Sequence, residues 1–162
     1  LPPYEDYSMD GRTYKYMKTE PLFPFGFGLS YTTFNYSDIK LAKSRISMNE
    51  PVQAEITVTN SGSYAGVEVV QVYITPPSTN NFATPAYSLK TFQKIYLEPG
   101  QSKKVNFTIT PEMLGVIDNS GNWVNLQGTY IIHIGGSLPI AKSAQLGASK
   151  CIKAEISVSG TN

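Results

Sequence analysis

The sequence predicts an all-β, antiparallel β-sandwich carrying an extended, irregular N-terminal arm. Three observations lead there. Short apolar alternations recur through most of the chain, turn residues separate them at intervals of roughly ten residues, and no stretch has the period of an amphipathic helix. With 162 residues the chain can bury roughly 70% of its unfolded surface and holds one domain, or one domain with an extension. We divide it into an arm, residues 1–34, and a sandwich, residues 35–162.

The first half of the arm is polar, opens with Pro2-Pro3, carries Tyr4, Tyr7, Tyr14 and Tyr16, and has the turn signal Asp10-Gly11. Its second half, Pro21 to Phe34 (PLFPFGFGLSYTTF), is the stretch around which the chain is organised. Pro21 and Pro24 lack an amide donor, and Gly26 and Gly28 admit conformations other residues avoid, so neither a helix nor an unbroken strand spans it. It nevertheless carries Leu22, Phe23, Phe25, Phe27, Leu29, Tyr31 and Phe34. An irregular segment has no face on which to bury so many apolar groups against itself. Two readings stand side by side: a loop covering this domain's own core, or a surface that docks on something else.

The sandwich begins with a strand over Phe34–Leu41, whose alternation slips by one residue near Ser37-Asp38, as a bulge or turn would make it do. Val52–Thr59 is the clearest strand, with Val52, Ala54, Ile56 and Val58 facing a core and Gln53, Glu55, Thr57 and Thr59 facing water. After the turn Asn60-Ser61-Gly62, the strand Val67–Ile74 is apolar on both faces, so it is central or covered by another segment; the aromatic run is one candidate for that cover. Pro76–Ser88 is a long loop with two exposed-looking aromatics, Phe82 and Tyr87. Strands follow over Leu89–Leu97 and Lys103–Thr110, then a helical turn Pro111–Leu114 capped by Thr110. Val116–Asp118 and Trp123–Leu126 form a hairpin with Trp123 beside its turn, and Gly128–Gly135 and Cys151–Val158 are the last strands, joined by a Ser-, Ala- and Gly-rich connection. This series, with a single buried-looking Trp and no Cys, Trp, Cys spacing, fits an immunoglobulin-like sandwich of the fibronectin type III-like subclass.

Composition narrows function by exclusion. A net charge of +1 with 15% charged residues and no like-charged run leaves no footprint for nucleic acid. No apolar stretch approaches the ~20 residues of a membrane span, and the N-terminus has no signal-like pattern, so we expect any secretion signal to be absent or removed upstream. The lone Cys151 forms no internal disulfide and is expected to be a packed or half-exposed thiol, not a nucleophile. His133, the only histidine, lies on a strand with no nucleophile marked by spacing, and no cluster offers metal ligands, so no catalytic residue, metal or cofactor is expected. No carboxylate pair is marked for glycoside hydrolysis.

The residues then match a known pattern. Gly11-Arg12-Thr13-Tyr14-Lys15-Tyr16, Glu20 to Phe34, Val58-Thr59-Asn60-Ser61-Gly62, Ala65 to Tyr73, Leu89 to Lys94, Leu97 to Ser102 and Gly135-Gly136-Ser137 resemble the C-terminal region of family 3 glycoside hydrolases, the β-glucosidase and β-xylosidase family. The opening residues are most similar to the β-xylosidase-like branch. The resemblance implies a fibronectin type III-like C-terminal domain with its linker, in a parent enzyme that is periplasmic or extracellular. It also implies that the aspartate nucleophile and the acid/base residue belong to a barrel and an α/β sandwich that these residues do not match.

Two functions follow. In the first, the module is a non-catalytic accessory that packs against the catalytic domains through Arg12, Tyr14, Tyr16, Phe23, Phe25, Phe27 and Tyr31. In this reading Arg12 donates to a carboxylate or carbonyl. In the second, it binds an oligo- or polysaccharide on a stacking platform of Phe82, Tyr87 and Trp123.

Overall fold

The computed structural model describes residues 3–160; the Pro2 end of the arm lies outside the described residues. A four-residue helix, α1 (Thr13–Tyr16), precedes the strands β1 (Phe34–Tyr36), β2 (Lys40–Leu41), β3 (Arg45–Ser47), β4 (Val52–Asn60), β5 (Gly66–Thr75), β6 (Ser88–Leu97) and β7 (Ser102–Ile109). The helical turn α2 (Pro111–Leu114) leads to β8 (Val116–Ile117), β9 (Trp123–Val124) and β10 (Gly128–Gly135). The short helix α3 (Ala141–Gln145) then precedes β11 (Ile152–Ser159).

Two sheets face one another. In the first, β4 is central, with β7 on one side and β1 followed by β2 on the other. The second has the order β3-β11-β10-β5-β6, and β8 and β9 form a separate hairpin. The core is the meeting of their inner faces. Val52, Ala54, Ile56 and Val58 of β4, with Val105, Phe107 and Ile109 opposite them on β7, pack against Val70, Val72 and Ile74 of β5 and Ile132 and Ile134 of β10. All of these are buried, and each such aliphatic side chain is worth about 1.5–3 kcal/mol on leaving water. Near the start of β10, Tyr130 donates its hydroxyl to the Leu126 carbonyl and accepts from the Leu126 amide, both at 2.9 Å. This hydroxyl-to-backbone tie is the corner that sandwiches of this class use to pin a crossing connection.

Several local expectations need correction. The predicted strand Phe34–Leu41 is two strands, because the Ser37 hydroxyl takes the Thr57 amide (2.9 Å) that a ladder carbonyl would otherwise accept. The short β3 carries only one inward side chain, Ile46, too little for an alternation, and it pairs parallel to β11 in an otherwise antiparallel molecule. Thr110 occupies the N-cap position of α2 but makes no side-chain capping bond. Trp123 is not buried: 55% of it is exposed, since its hairpin stands outside both main sheets. Phe82 and Tyr87, expected to be exposed, are half-buried.

Candidate functional site

The arm lies on the outer face of the second sheet, and its attachment starts with Tyr14. The Tyr14 ring stacks on Phe25 (centroids 4.2 Å apart, planes at 15°) and meets Tyr73 of β5 edge-on at 6.3 Å, while its hydroxyl accepts the Leu89 amide at 3.1 Å. That contact explains why β5 is apolar on both faces: Tyr73 points away from the sandwich core yet is buried, beneath the arm. Burial pushes the Tyr73 phenol well above its usual range, and its hydroxyl donates to the Gln71 side chain. The Gln71 amide in turn donates to the carbonyls of Gly136 (2.7 Å) and Gly26 (3.4 Å).

Backbone bonds add to this. Ala86 donates to the Lys15 carbonyl at 2.9 Å and Leu138 to the Phe25 carbonyl at 3.0 Å. Gly26 sits at φ +73°, and a Cβ there would strike the Gln71 side chain. Gly26→Ala is therefore expected to cost about 1–2 kcal/mol, from left-handed strain before any clash. Urea denaturation checks this; a loss under about 0.5 kcal/mol would mean that the arm is not held here.

A second anchor closes the arm at its junction with β1. Asn60 is fully buried and uses all its bonding capacity: its carbonyl oxygen accepts from the Thr32 hydroxyl (2.6 Å) and the Gly62 amide (3.1 Å), and its amide donates to the carbonyls of Tyr64 (2.8 Å) and Leu97 (3.0 Å). Sequence reasoning read Asn60 only as a turn residue. The signal available was its place at the end of an alternation whose other inward members are apolar.

What remains outward is the apolar half of the run. Leu22, Phe23, Leu29 and Tyr31 are 85%, 69%, 92% and 96% exposed, and Phe25 keeps one face open to solvent. Phe23 and Phe27 stack at 6.3 Å. Phe27 and Leu29 border a cleft of about 490 Å³ shared with Val67 and Val69. Tyr96, opposite Val67, and Phe92, opposite Gln71, extend the exposed apolar surface across β6. A further cleft of about 700 Å³ lies between arm and body, lined by Tyr14, Phe23, Phe25, Tyr87 and Leu138 among others.

The predicted interface residues thus divide. Phe23, Phe25, Phe27 and Tyr31 share the exposed run, whereas Tyr14 is turned inward as the arm's anchor and Tyr16 is half-buried. Arg12 finds its carboxylate within the arm, donating to Asp6 at 3.2 Å. The three residues of the predicted sugar platform engage different neighbours. Tyr87 meets His133 edge-on at 5.4 Å, Trp123 covers Gly115 with the Lys90 ammonium 5.3 Å from its ring, and Phe82 is half-buried in its loop.

His133 is a half-buried titratable group beside Tyr87. Its Nε2 lies 3.2 Å from the Thr75 hydroxyl, which already donates to the Ala86 carbonyl at 2.6 Å, so Nε2 carries the proton and donates. Burial first, and the Lys153 ammonium second, lower its pKa from 6.5 to about 4. Between these values the unfolded chain binds a proton that the folded one refuses. Stability is therefore expected to be level above about pH 6.5 and to fall as pH drops toward 4. The loss is about 1–2 kcal/mol once solvent screening of the partly exposed ring is allowed for. His133→Gln should flatten that slope; an unchanged slope would assign it to other groups. Cys151, its thiol raised to about 11 by burial and donating to the Ser137 carbonyl at 3.1 Å, stays protonated at neutral pH and is no nucleophile. Among the described residues no cluster of ligands could hold a metal ion.

The family model described as "Fibronectin type III-like domain" matches residues 68–138. Over 139 residues the chain is 39% identical to a Neosartorya fischeri protein named "Probable beta-glucosidase I", covering 82% of this chain and 16% of that protein. It is 42% identical over 135 residues to a Formosa agariphila protein that carries the name β-xylosidase, covering 81% of this chain and 18% of that one. Among solved structures, a β-glucosidase from Erythrobacter marinus superposes with a TM-score of 0.74 at 30% identity, over 90% of this chain and 18% of the other. A β-glucosidase of Bifidobacterium adolescentis, titled as a family 3 enzyme, does so with a TM-score of 0.66 at 27% identity, over 83% and 18%. The chain spans less than a fifth of these relatives. It belongs to the fibronectin type III-like domains of family 3 glycoside hydrolases, a small accessory portion that by itself lacks their catalytic domains.

Proposed function

We propose that this module packs against the catalytic domains of a parent β-glucosidase or β-xylosidase and stabilises them, with the arm's exposed aromatic run as the seam. One observation carries the reading. The arm is pinned to the sandwich by partly buried hydrogen bonds and ring stacking, yet it holds Leu22, Phe23, Leu29 and Tyr31 out in water. A loop that only covered its own core would turn such groups inward, because leaving each one wet forgoes about 2 kcal/mol. A fixed segment presenting a contiguous apolar surface is instead pre-organised for a partner face, which lowers the entropic cost of association.

The test mixes this chain with the catalytic portion of its parent enzyme expressed without it, and follows association, thermal stability and hydrolysis of nitrophenyl glucoside and xyloside. The expected result is a complex that melts higher or turns over faster than the catalytic portion alone, with this chain inert by itself. Two parts that do not associate would overturn the reading.

A further inference from the structure

The cleft of about 490 Å³ beside the aromatic run contains a carboxylate that no cation among the described residues pairs with. Glu68 lies on the inward face of β5, opposite the buried Ile95, at the end of the sandwich where the apolar core gives out. It accepts from the neighbouring Val69 amide at 3.0 Å. The buried Tyr36 hydroxyl, which has no other partner, lies beside the carboxyl as a second donor, and like the amide it is neutral. Gly136 forms the adjoining wall, so close that a Cβ built there would stand 2.7 Å from the carboxylate oxygen. On the same cleft the Ser137 side chain is 1% exposed and its hydroxyl has no partner.

The ion pairs among the described residues are Arg12 with Asp6, Lys18 with Asp10, Lys43 with Glu50 and Lys104 with Glu55; none reaches Glu68. Burial, with no cation to oppose it, raises the Glu68 pKa above the ordinary carboxylate value. A charge so placed has neutral donors and no cation among the described residues, and it is costly until one pairs with it. One carboxylate with no further ligand group does not make a cation site. A guanidinium meets the requirement better than an ammonium, because its planar fork gives several donors at once and it loses less hydration on entering a partly dry cleft.

We propose that this cleft is a socket for an arginine side chain of the catalytic portion, which pairs with Glu68 and donates to Ser137 as the aromatic run docks. The inference rests on the seam reading above, since Phe27 and Leu29 form the socket's rim, and it names the polar contact of that seam. Gly26, Gly28, Gly136 and Gly147 line the cleft and keep its walls free of side chains along the way in.

Glu68→Gln, compared in the isolated chain and in the intact parent enzyme, tests it. In the isolated chain the variant is expected to melt at or above the wild-type temperature, because a half-buried unpaired charge has been removed. In the intact enzyme it should lower the melting temperature by about 5 °C or more, because the arginine is left unpaired. Ser137→Ala should act in the same direction and by less. Equal shifts in both settings would make Glu68 a structural residue of the sandwich and overturn the socket. No shift in the intact enzyme would do the same and would leave the cleft to water. The seam is tested separately in the same enzyme by Phe23→Ser: a loss there without one at Glu68 rejects the socket alone, and no loss at either rejects both.

Discussion

Asn60→Ala is expected to destabilise this domain by about 3 kcal/mol, more than any single aliphatic truncation at the rim of its core. Asn60 satisfies four groups at once: the Thr32 hydroxyl, the Gly62 amide and the carbonyls of Tyr64 and Leu97. It does so while fully buried, where water does not replace it. Each bond contributes about 0.5–1.5 kcal/mol net, and a buried carbonyl left bare costs about 1–3 kcal/mol, so the sum exceeds the volume lost. The effect also has a direction in space. Thr32 is released first, and with it the bond of the Ser61 amide to the Thr33 carbonyl (2.9 Å) that seats the end of the arm. Urea titration at constant m-value gives the energy, and hydrogen exchange at Ser61 shows the release. Ser61→Ala, at an exposed neighbour, should change stability by less than about 0.5 kcal/mol. A loss below about 1 kcal/mol in Asn60→Ala would show that the network is replaced by solvent and does not anchor the arm.

The triple variant Phe23→Ser, Leu29→Ser, Tyr31→Ser should separate stability from association. In the isolated chain all three side chains are largely in water, so their loss leaves the melting temperature nearly unchanged and raises solubility. Against the catalytic portion of the parent enzyme the expected result is at least about thirtyfold weaker binding. Burying one such side chain is worth about 2 kcal/mol, and even strongly non-additive anchors lose that much in total. Binding within threefold of wild type would move the seam elsewhere on the molecule. A triple variant that no longer folds alone would show that these side chains serve this domain's own structure.

The outcome of Glu68→Gln takes its meaning from these two variants, because all three concern one continuous surface. Asn60 holds the arm's end in place, the apolar run supplies area, and Glu68 supplies a half-buried charge beside it. Area gives most of the affinity at such a face, and a matched charge gives register, since a misaligned docking leaves the carboxylate without donors.

The two-sheet sandwich was legible because period-two patterns report burial directly. The alternation of Val52, Ala54, Ile56 and Val58 is the core face of β4, residue for residue, and the apolar outer face of β5 is covered at Tyr73, while Val67 and Val69 stay exposed. The turns at Asp10-Gly11 and Gly100 and in the Asn119–Asn122 stretch follow from positive φ at Gly11, Gly100 and Gly121. The family resemblance rested on the same kind of local information, motifs written in contiguous residues.

What adjacency in sequence does not carry is which distant groups meet. Tyr14 and Tyr31 look alike in the chain, yet one is stacked on Phe25 and bonded to Leu89 while the other stands in water. Trp123 read as core because large rings usually are, and only the separate β8–β9 hairpin explains its exposure. Glu68 falls on an inward position of a strand whose pattern is apolar, and its isolation from every basic residue is a fact about three-dimensional neighbours. Periodicity fixes which face a side chain takes. The long-range pairing of β5 with β6 and β10, and the path of the arm across them, decide what stands on that face. Those contacts are set by the free energy of the whole packed state and not by any short stretch of it.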